Sequence, residues 1–382
     1  MDNPLLIQSP LALQQACEGL RRESRIAVDT ESNSLFAYRE RVCLLQFSTP
    51  SADLLVDPLA ITDLSPLGTL FADAGCEKVF HAAEYDLICL RRDFGFVVCN
   101  IFDTMIAARA LGEDGTGLGA LLRKELGIEL DKRFQRANWG VRPLPAEQLE
   151  YARLDTHYLL PLRARLEPRL HEAGLWEEVQ EDFRRVAERS TPTEESSLEA
   201  GLWKVKGVFD LTRTERTVLF PLYLFRESEA ERLDRPPFKI LSDDVLTAIA
   251  KAQPASLAEL GTVPGLSSTN MQRWGHPLLE AVRRASPSVL PSPPHSKAPT
   301  DAVRARHEAL RKWRKLRAAE RGVESDVILN RDALWDIAQH RPGSLGELKT
   351  IASLGPHRLK LYGEEILQVL SRAKAEAESH AD

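Results

Sequence analysis

The sequence predicts an α/β domain with a mixed sheet flanked by helices, followed by two all-helical domains. Three observations lead there. Short apolar runs alternate with amphipathic stretches up to about residue 190, the pattern of strands interleaved with helices. Two polar stretches without apolar periodicity, 190–201 (STPTEESSLEAG) and 286–300 (SPSVLPSPPHSKAPT), divide the remainder. The segment 239–260 also aligns without gaps to the stretch 326–348 at an offset of 88, so one helical unit is built twice. At about 150 residues per domain, 382 residues accommodate two or three domains.

In chain order, 25–29 (RIAVD), 42–48 (VCLLQFS) and 54–57 (LLVD) are short apolar runs bounded by turn residues and read as strands. A helix over 63–71, a strand over 78–81, a helix over 84–92 and a strand over 97–102 follow. Helices are then expected near 103–111, 117–126 and 146–170. In the repeat, Leu241 pairs with Leu329, Pro254 with Pro342, Leu257 with Leu345, and Trp274-Gly275 with Tyr362-Gly363. The expected division is 1–190 for the α/β domain, 201–286 and 301–375 for the helical domains, and 287–300 for a Pro/Ser-rich linker.

Composition excludes several classes. With 43% apolar and 28% charged residues the chain is not disordered throughout. Its net charge of −6 supplies no global basic field for a nucleic acid, so such a partner must be held by local patches or metal ions. Five cysteines (17, 43, 76, 89 and 99) form no CxxC pair, which argues against a disulfide framework or thiolate zinc and for a reducing compartment. No apolar run reaches 18 residues, and the N-terminal stretch has no basic n-region. The expectation is a cytoplasmic protein without membrane partners.

Three acidic signals carry chemistry. In Val28-Asp29-Thr30-Glu31, alternation along a strand puts Asp29 and Glu31 on one face. Two carboxylates ending an apolar strand are costly unless a cation lies between them, and hard oxygen donors suit Mg²⁺ or Mn²⁺; alone, the pair is also an ordinary strand end. In Phe80-His81-Ala82-Ala83-Glu84-Tyr85-Asp86, Asp86 falls in the first turn of a helix, where an acid complements the dipole in any case. In Tyr151-Ala152-Arg153-Leu154-Asp155, the i, i+4 spacing sets the phenol and the carboxylate one turn apart on one face. Each is unremarkable alone; the ordered conjunction within one α/β domain is not.

DxE, HAAxxD and YxxxD in that order resemble the three motifs of the DEDD 3′–5′ exonuclease superfamily, on Asp29, Glu31, Asp86, Tyr151 and Asp155. The histidine subclass requires histidine at position 150, which is Glu150, so the resemblance is to the tyrosine subclass. Leu45-Gln46, Val56-Asp57-Pro58-Leu59, Phe102-Asp103-Thr104, Leu130-Asp131-Lys132 and Trp139-x-x-Arg142-Pro143-Leu144 are similar to the bacterial ribonuclease D family, and the repeat resembles paired HRDC domains. The resemblance implies a ribonuclease H-like core of about five strands, three antiparallel strands first. It also implies a metal-dependent 3′–5′ exoribonuclease that releases 5′-mononucleotides, with tRNA precursors or other structured RNA 3′ ends as substrate.

Phosphodiester hydrolysis by two divalent ions, Mg²⁺ or Mn²⁺, gives each acid an expected role. Asp29 bridges the ions, Glu31 and Asp155 complete the one that activates water, Asp86 supports the other through water, and Tyr151 orients the attacking water. The Thr30 backbone, His81, Lys132 and Arg142 are the expected holders of the 3′ end. Trp139 either stacks a base or caps the core beneath the Arg142-Pro143 loop, and the second is favoured; Asp103 is favoured as a helix cap over a metal ligand. Residues 303–321 carry six Arg and two Lys against two Glu, which suggests an RNA foothold on the second helical domain, although charge runs are also ordinary solvated faces. A DNA exonuclease and a catalytically silent RNA-binding scaffold are the alternatives. A helicase is excluded, since no Gly-Lys dipeptide is present to form a Walker A loop.

Overall fold

The computed structural model describes residues 4–189, 197–287, 290–293 and 299–379. Its strands are β1 (Leu5–Ile7), β2 (Arg25–Ser32), β3 (Val42–Ser48), β4 (Asp53–Val56), β5 (Glu77–Phe80) and β6 (Ile101–Asp103). They form one sheet in the order β1-β4-β3-β2-β5-β6. It is mixed: β3 and β4 are antiparallel, while β1 runs parallel to β4 and β5 parallel to both β2 and β6. Eight helices flank it: α1 (Pro10–Leu20), α2 (Ser65–Ala72), α3 (Glu84–Phe94), α4 (Thr104–Ala110), α5 (Leu118–Leu126), α6 (Ala146–His157), α7 (Leu159–Glu172) and α8 (Trp176–Arg189). Every residue of β3 is buried, as is Ile26-Ala27-Val28 of β2, so the sheet centre is dry up to Asp29.

Three details depart from the sequence reading. The sheet has six strands because Leu5–Ile7 adds to β4, a pairing too short to show as periodicity. The strand expected over 97–102 is only Ile101–Asp103, the part that reaches β5. The helix expected over 146–170 breaks at Tyr158, because Pro161 has no N–H to give the carbonyl of His157.

By contact density the chain forms two compact units, Met1–Glu31 with Val42–Thr191 and Ala298–Asp382, and Ser32–Arg41 with Pro192–Lys297. The first helical module lies in the second unit, where Tyr38 N–H donates to Asp234 Oδ1 at 3.1 Å and Lys239 Nζ sits 4.2 Å from the Phe36 ring centre. The second module shares the first unit with the sheet domain.

The repeat is a structural one. Helices Arg213–Arg232, Pro237–Ile240, Asp243–Ala252, Leu257–Gly261 and Ser268–Arg283 start 88 positions before Asp301–Arg321, Ser325–Ile328, Arg331–His340, Leu345–Leu348 and Pro356–Ser379. N-caps recur at Thr212 and Thr300, Ser242 and Asn330, and Ser256 and Ser344. Gly275 and Gly363 explain the shared aromatic-glycine pair. A Cβ there would stand 3.2 Å from Leu257 Cδ2 and 2.8 Å from Leu345 Cδ2, so in both copies the matching leucine packs over the glycine and would have to shift to admit a side chain.

Position 270 of the first copy and 358 of the second differ in consequence. Asn270 Nδ2 donates to the Ile240 carbonyl at 3.3 Å, and its counterpart Arg358 donates through Nε to the matching Ile328 carbonyl at 3.0 Å. The longer side chain then reaches α8, where it pairs with Asp182 at 2.7 Å and Glu181 at 3.3 Å beside Glu178. Glu181 also accepts the His357 and Arg358 N–H groups at the start of the last helix. Arg358 is 3% exposed.

The basic helix Asp301–Arg321 is wired differently from the free charge its sequence suggests. Arg306 and Arg314 donate to the Ala338 and Leu329 carbonyls, and Arg321 pairs with Glu178. Arg304, Arg311 and Arg317 pair with Asp301, Glu308 and Glu320, all within one turn. Arg306, Arg314 and Arg321 are thus committed within the module and to α8, whereas the pairs of Arg304, Arg311 and Arg317 are exposed ones.

Removing one partner of a buried ion cluster leaves uncompensated charge, so Arg358→Met should cost about 3–5 kcal/mol of the stability of this unit. Urea denaturation followed through the second module checks this; a midpoint equal to that of the unaltered chain contradicts the latch.

Candidate active site

Alternation along β2 sends Asp29 and Glu31 to one face, and α6 presents Tyr151 and Asp155 to the same place. Asp29, Glu31 and Asp155 each offer a carboxylate oxygen within 4.8 Å of the others. With Tyr151, His81 and Lys132 they line a cavity of about 430 Å³, closed on one side by Gly117–Ala120 at the start of α5. Asp86 lies just behind, in the first turn of α3, and is 7% exposed. Thr30 Oγ1 donates to Asp86 Oδ1 at 2.5 Å and Gln46 Nε2 donates to Asp29 Oδ2 at 3.3 Å.

The electrostatics are those of crowded acids. Burial, then the neighbouring Asp155, lifts Asp29 well above the usual carboxylate range. Glu31 is raised by burial and then by Asp29, Asp155 and Asp86; Asp86 is raised by burial and then by Asp29. Burial pushes Asp155 up to about 7. The Tyr151 phenol is raised too, by burial and then by Asp155, Glu31 and Asp29, so it keeps its proton and can donate. Among the described residues no lysine or arginine forms an ion pair with any of the four acids, whose only side-chain hydrogen bonds come from Thr30 and Gln46. An all-oxygen donor set without a cation of its own fits hard divalent ions.

Polar clamps behind the cavity fix its walls. Arg153, 2% exposed, binds Asp53 at 3.0 Å and Glu150 at 2.5 Å, and His157 Nδ1 lies 2.8 Å from the same Asp53. Ser48 binds both Asp53 (2.6 Å) and Thr156 (2.7 Å). The back of α6 is thus bolted to β3 and β4 while its front carries Tyr151 and Asp155. Tyr151 is further wedged between Phe134 and the buried Trp139, with ring centres 6.0 and 6.1 Å away. Trp139 therefore packs behind the tyrosine, in keeping with the core reading.

Asp103 caps α4 and does more. Its carboxylate accepts Met105 and Ile106 N–H, and also Ala82 and Ala83 N–H across the sheet, at 2.7–3.2 Å. This holds Ala82 at φ +64° and fixes the turn between His81 and α3. Thr104 Oγ1 donates to the Phe80 carbonyl and so accepts from His81 Nδ1–H at 2.9 Å. That leaves His81 Nε2 as an acceptor, and burial keeps the ring neutral by lowering its pKa.

Of the four expected substrate holders, Thr30, His81 and Lys132 line the cavity. Arg142 does not. All five of its N–H groups are used, on Asp57 (two), Cys43 O, Trp139 O and Val141 O, so it pins the loop to β3. Gln46, Asp53 and Arg153 are functional neighbours that the sequence reading missed as such. Their only local signal is a polar side chain inside an apolar strand or a motif helix.

Residues 5–171 match the 3′–5′ exonuclease family, and residues 216–282 and 303–370 match the HRDC domain. Ribonuclease D of Desulfotalea psychrophila is 34% identical over 265 residues, which are 68% of this chain and 70% of that protein. The chain belongs to the ribonuclease D family. The exosome complex exonuclease RRP6 of Saccharomyces cerevisiae is 33% identical over 268 residues, 66% of this chain but only 37% of that longer protein. The crystal structure of Escherichia coli RNase D, an exoribonuclease involved in structured RNA processing, superposes with a TM-score of 0.72 at 25% identity, covering 97% of this chain and 99% of that one. No helix among the described residues is long and apolar enough to cross a membrane.

Raised carboxyl values make a testable statement about stability. The folded chain binds protons that the unfolded chain releases, so the stabilisation is full below the ordinary Asp value of 3.8 and is lost as pH rises through about 7. In EDTA, Asp155→Asn should gain thermal stability over the unaltered chain as pH goes from about 5 to about 8. Parallel melting curves across that window contradict the crowded, cation-free site.

Proposed function

We propose that the chain is a metal-dependent 3′→5′ exoribonuclease that removes 5′-mononucleotides from RNA 3′ ends, tRNA precursors among them. The convergence of Asp29, Glu31 and Asp155 with Tyr151 in one cavity carries this reading, supported by membership of a family that uses divalent metal. Asp29, Glu31 and Asp155 would hold two divalent ions, Mg²⁺ or Mn²⁺, with Asp86 completing the set from behind. When bound, the ions supply Lewis-acid charge for the attacking and leaving oxygens of the displacement.

The protein's own groups do the rest. Tyr151, protonated at working pH and braced by Phe134 and Trp139, donates a hydrogen bond that orients the attacking water. Gln46 and Thr30 keep Asp29 and Asp86 in fixed rotamers. His81 Nε2, held as an acceptor, and Lys132 face the terminal nucleotide, one toward a ribose hydroxyl and the other toward phosphate.

Asp29→Asn or Asp155→Asn should lower mononucleotide release from 3′-labelled tRNA precursor by at least about 10²-fold, and EDTA should stop it. Unchanged turnover, or digestion that persists in chelator, defeats the assignment. Tyr151→Phe should retain metal binding, read by calorimetry, while slowing hydrolysis about 10²-fold; an unaltered rate removes its role. Matched RNA and DNA oligomers should differ in favour of RNA if hydroxyl contacts decide the substrate.

A further inference from the structure

Both helical modules grip a segment of the sheet domain with the same part of their framework, the turn between their first and second helices. In the first module that turn is residues 233–236, and its counterpart 88 positions on is 321–324. Asp234 and Gly322 occupy matching places, and both are left-handed, at φ +44° and +66°.

Asp234 Oδ1 accepts the Tyr38 N–H at 3.1 Å, and Glu231 pairs with Arg39 at 3.3 Å. Tyr38 packs against the first module's core, and Lys239 lies over the Phe36 ring. The gripped segment begins one residue beyond Glu31 and is closed on itself. Ser32 Oγ donates to Glu40 Oε1 at 2.7 Å, and the Arg41 N–H donates to Asn33 Oδ1 at 2.9 Å. In the second module the Gly322 carbonyl comes so near Gly112 that a Cβ on Gly112 would stand 3.1 Å from it. Val323 and Val327 pack onto the sheet domain's core, and Arg109 donates to Glu324 at 2.5 Å and to Asp326 at 2.7 Å. The gripped segment, 109–116, leads directly into Gly117–Ala120, which walls the cavity. Within it the buried carboxylate of Glu113 pairs with Lys124 of α5 and Arg169 of α7, so a shift of the segment reaches α5.

The contacts differ between the copies but their place in the module does not. One grip ends beside a cavity carboxylate along the chain, the other at the helix start that walls the cavity. Displacements of about 1 Å in such groups are enough to slow a reaction substantially, so their backbones need holding. We infer that the two modules are clamps that keep the catalytic cavity in shape. Tyr38 and Asp234 are positioning residues for Glu31, and Arg109, Glu324 and Asp326 are positioning residues for the start of α5. The inference rests on the exoribonuclease reading above.

The diribonucleotide pUpU is short enough to be held by the cavity alone, so modules that only gather RNA would leave its hydrolysis unchanged. Asp234→Gly copies the second module, suits the left-handed backbone and removes the acceptor. Combined with Tyr38→Ala, it should raise the Mn²⁺ dissociation constant, read by calorimetry, about tenfold. Arg109→Ala, and E324A/D326A from the module side, should raise KM for pUpU about fivefold with kcat held within about twofold. Arg109→Lys should restore most of that loss. Hydrogen exchange should quicken in peptides spanning 28–33 for the first clamp and 117–121 for the second. A merely structural role would lower the melting temperature and leave these values unmoved in the folded protein. Unchanged Mn²⁺ affinity, KM and exchange in folded variants overturn the inference, and each clamp stands or falls on its own variants. Should the Tyr38→Ala combination melt early, Asp234→Gly alone decides the first clamp; E324A/D326A, on exposed positions, decides the second. If the unaltered chain cleaves neither pUpU nor longer RNA, the exoribonuclease reading has failed, and exchange in the two segments still judges the clamps.

Discussion

Carboxylates packed around one cavity, with no lysine or arginine paired to them among the described residues, are the constraint around which the catalytic domain is arranged. Burial raises the cost of ionising Asp29, Glu31, Asp86 and Asp155, and neighbouring acids raise it further for Asp29, Glu31 and Asp86. A chain free to relax would let these groups swing apart into water. It is held instead by a dry β2, by donors from Thr30 and Gln46, and by an α6 fastened through Arg153 and Asp53. In the proposed reaction, divalent ions would relieve that mutual cost.

The same logic of committed and uncommitted charge runs through the helical modules. Duplication provided one framework twice, with the same caps and the same glycine crossing. Divergence then acted on a few positions. Asn270 satisfies a carbonyl and stops; Arg358 satisfies the matching carbonyl and also locks onto Asp182 and Glu181. The second copy thereby forms one compact unit with the sheet domain, while the first belongs to the other unit. A net charge summed over a sequence window cannot distinguish these outcomes, because it counts a latched guanidinium and a free one alike.

Much of the site was legible in the residues because strand and helix periodicities are local. Asp29 and Glu31 share a face by a spacing of two, and Tyr151 and Asp155 by a spacing of four, whatever the rest of the fold does. The ordered motifs supplied the pairing of those faces. Arg142 misled for the opposite reason: an arginine in a motif reads as a ligand holder, yet its five donors meet acceptors from Asp57, Cys43, Trp139 and Val141, a set drawn from three separate stretches. Arg153 and Asp53 were silent because they lie a hundred residues apart and act only as a pair.

The sequence by itself determined the domain classes, the alternation of strands and helices, the doubled helical unit and the identity of the clustered acids, since all of these follow from short-range spacing and from order along the chain. Only the tertiary structure decided how near those acids come, which histidine nitrogen is left to accept, and which arginines are spent. These depend on distances between segments remote in sequence, set by how the sheet and helices pack.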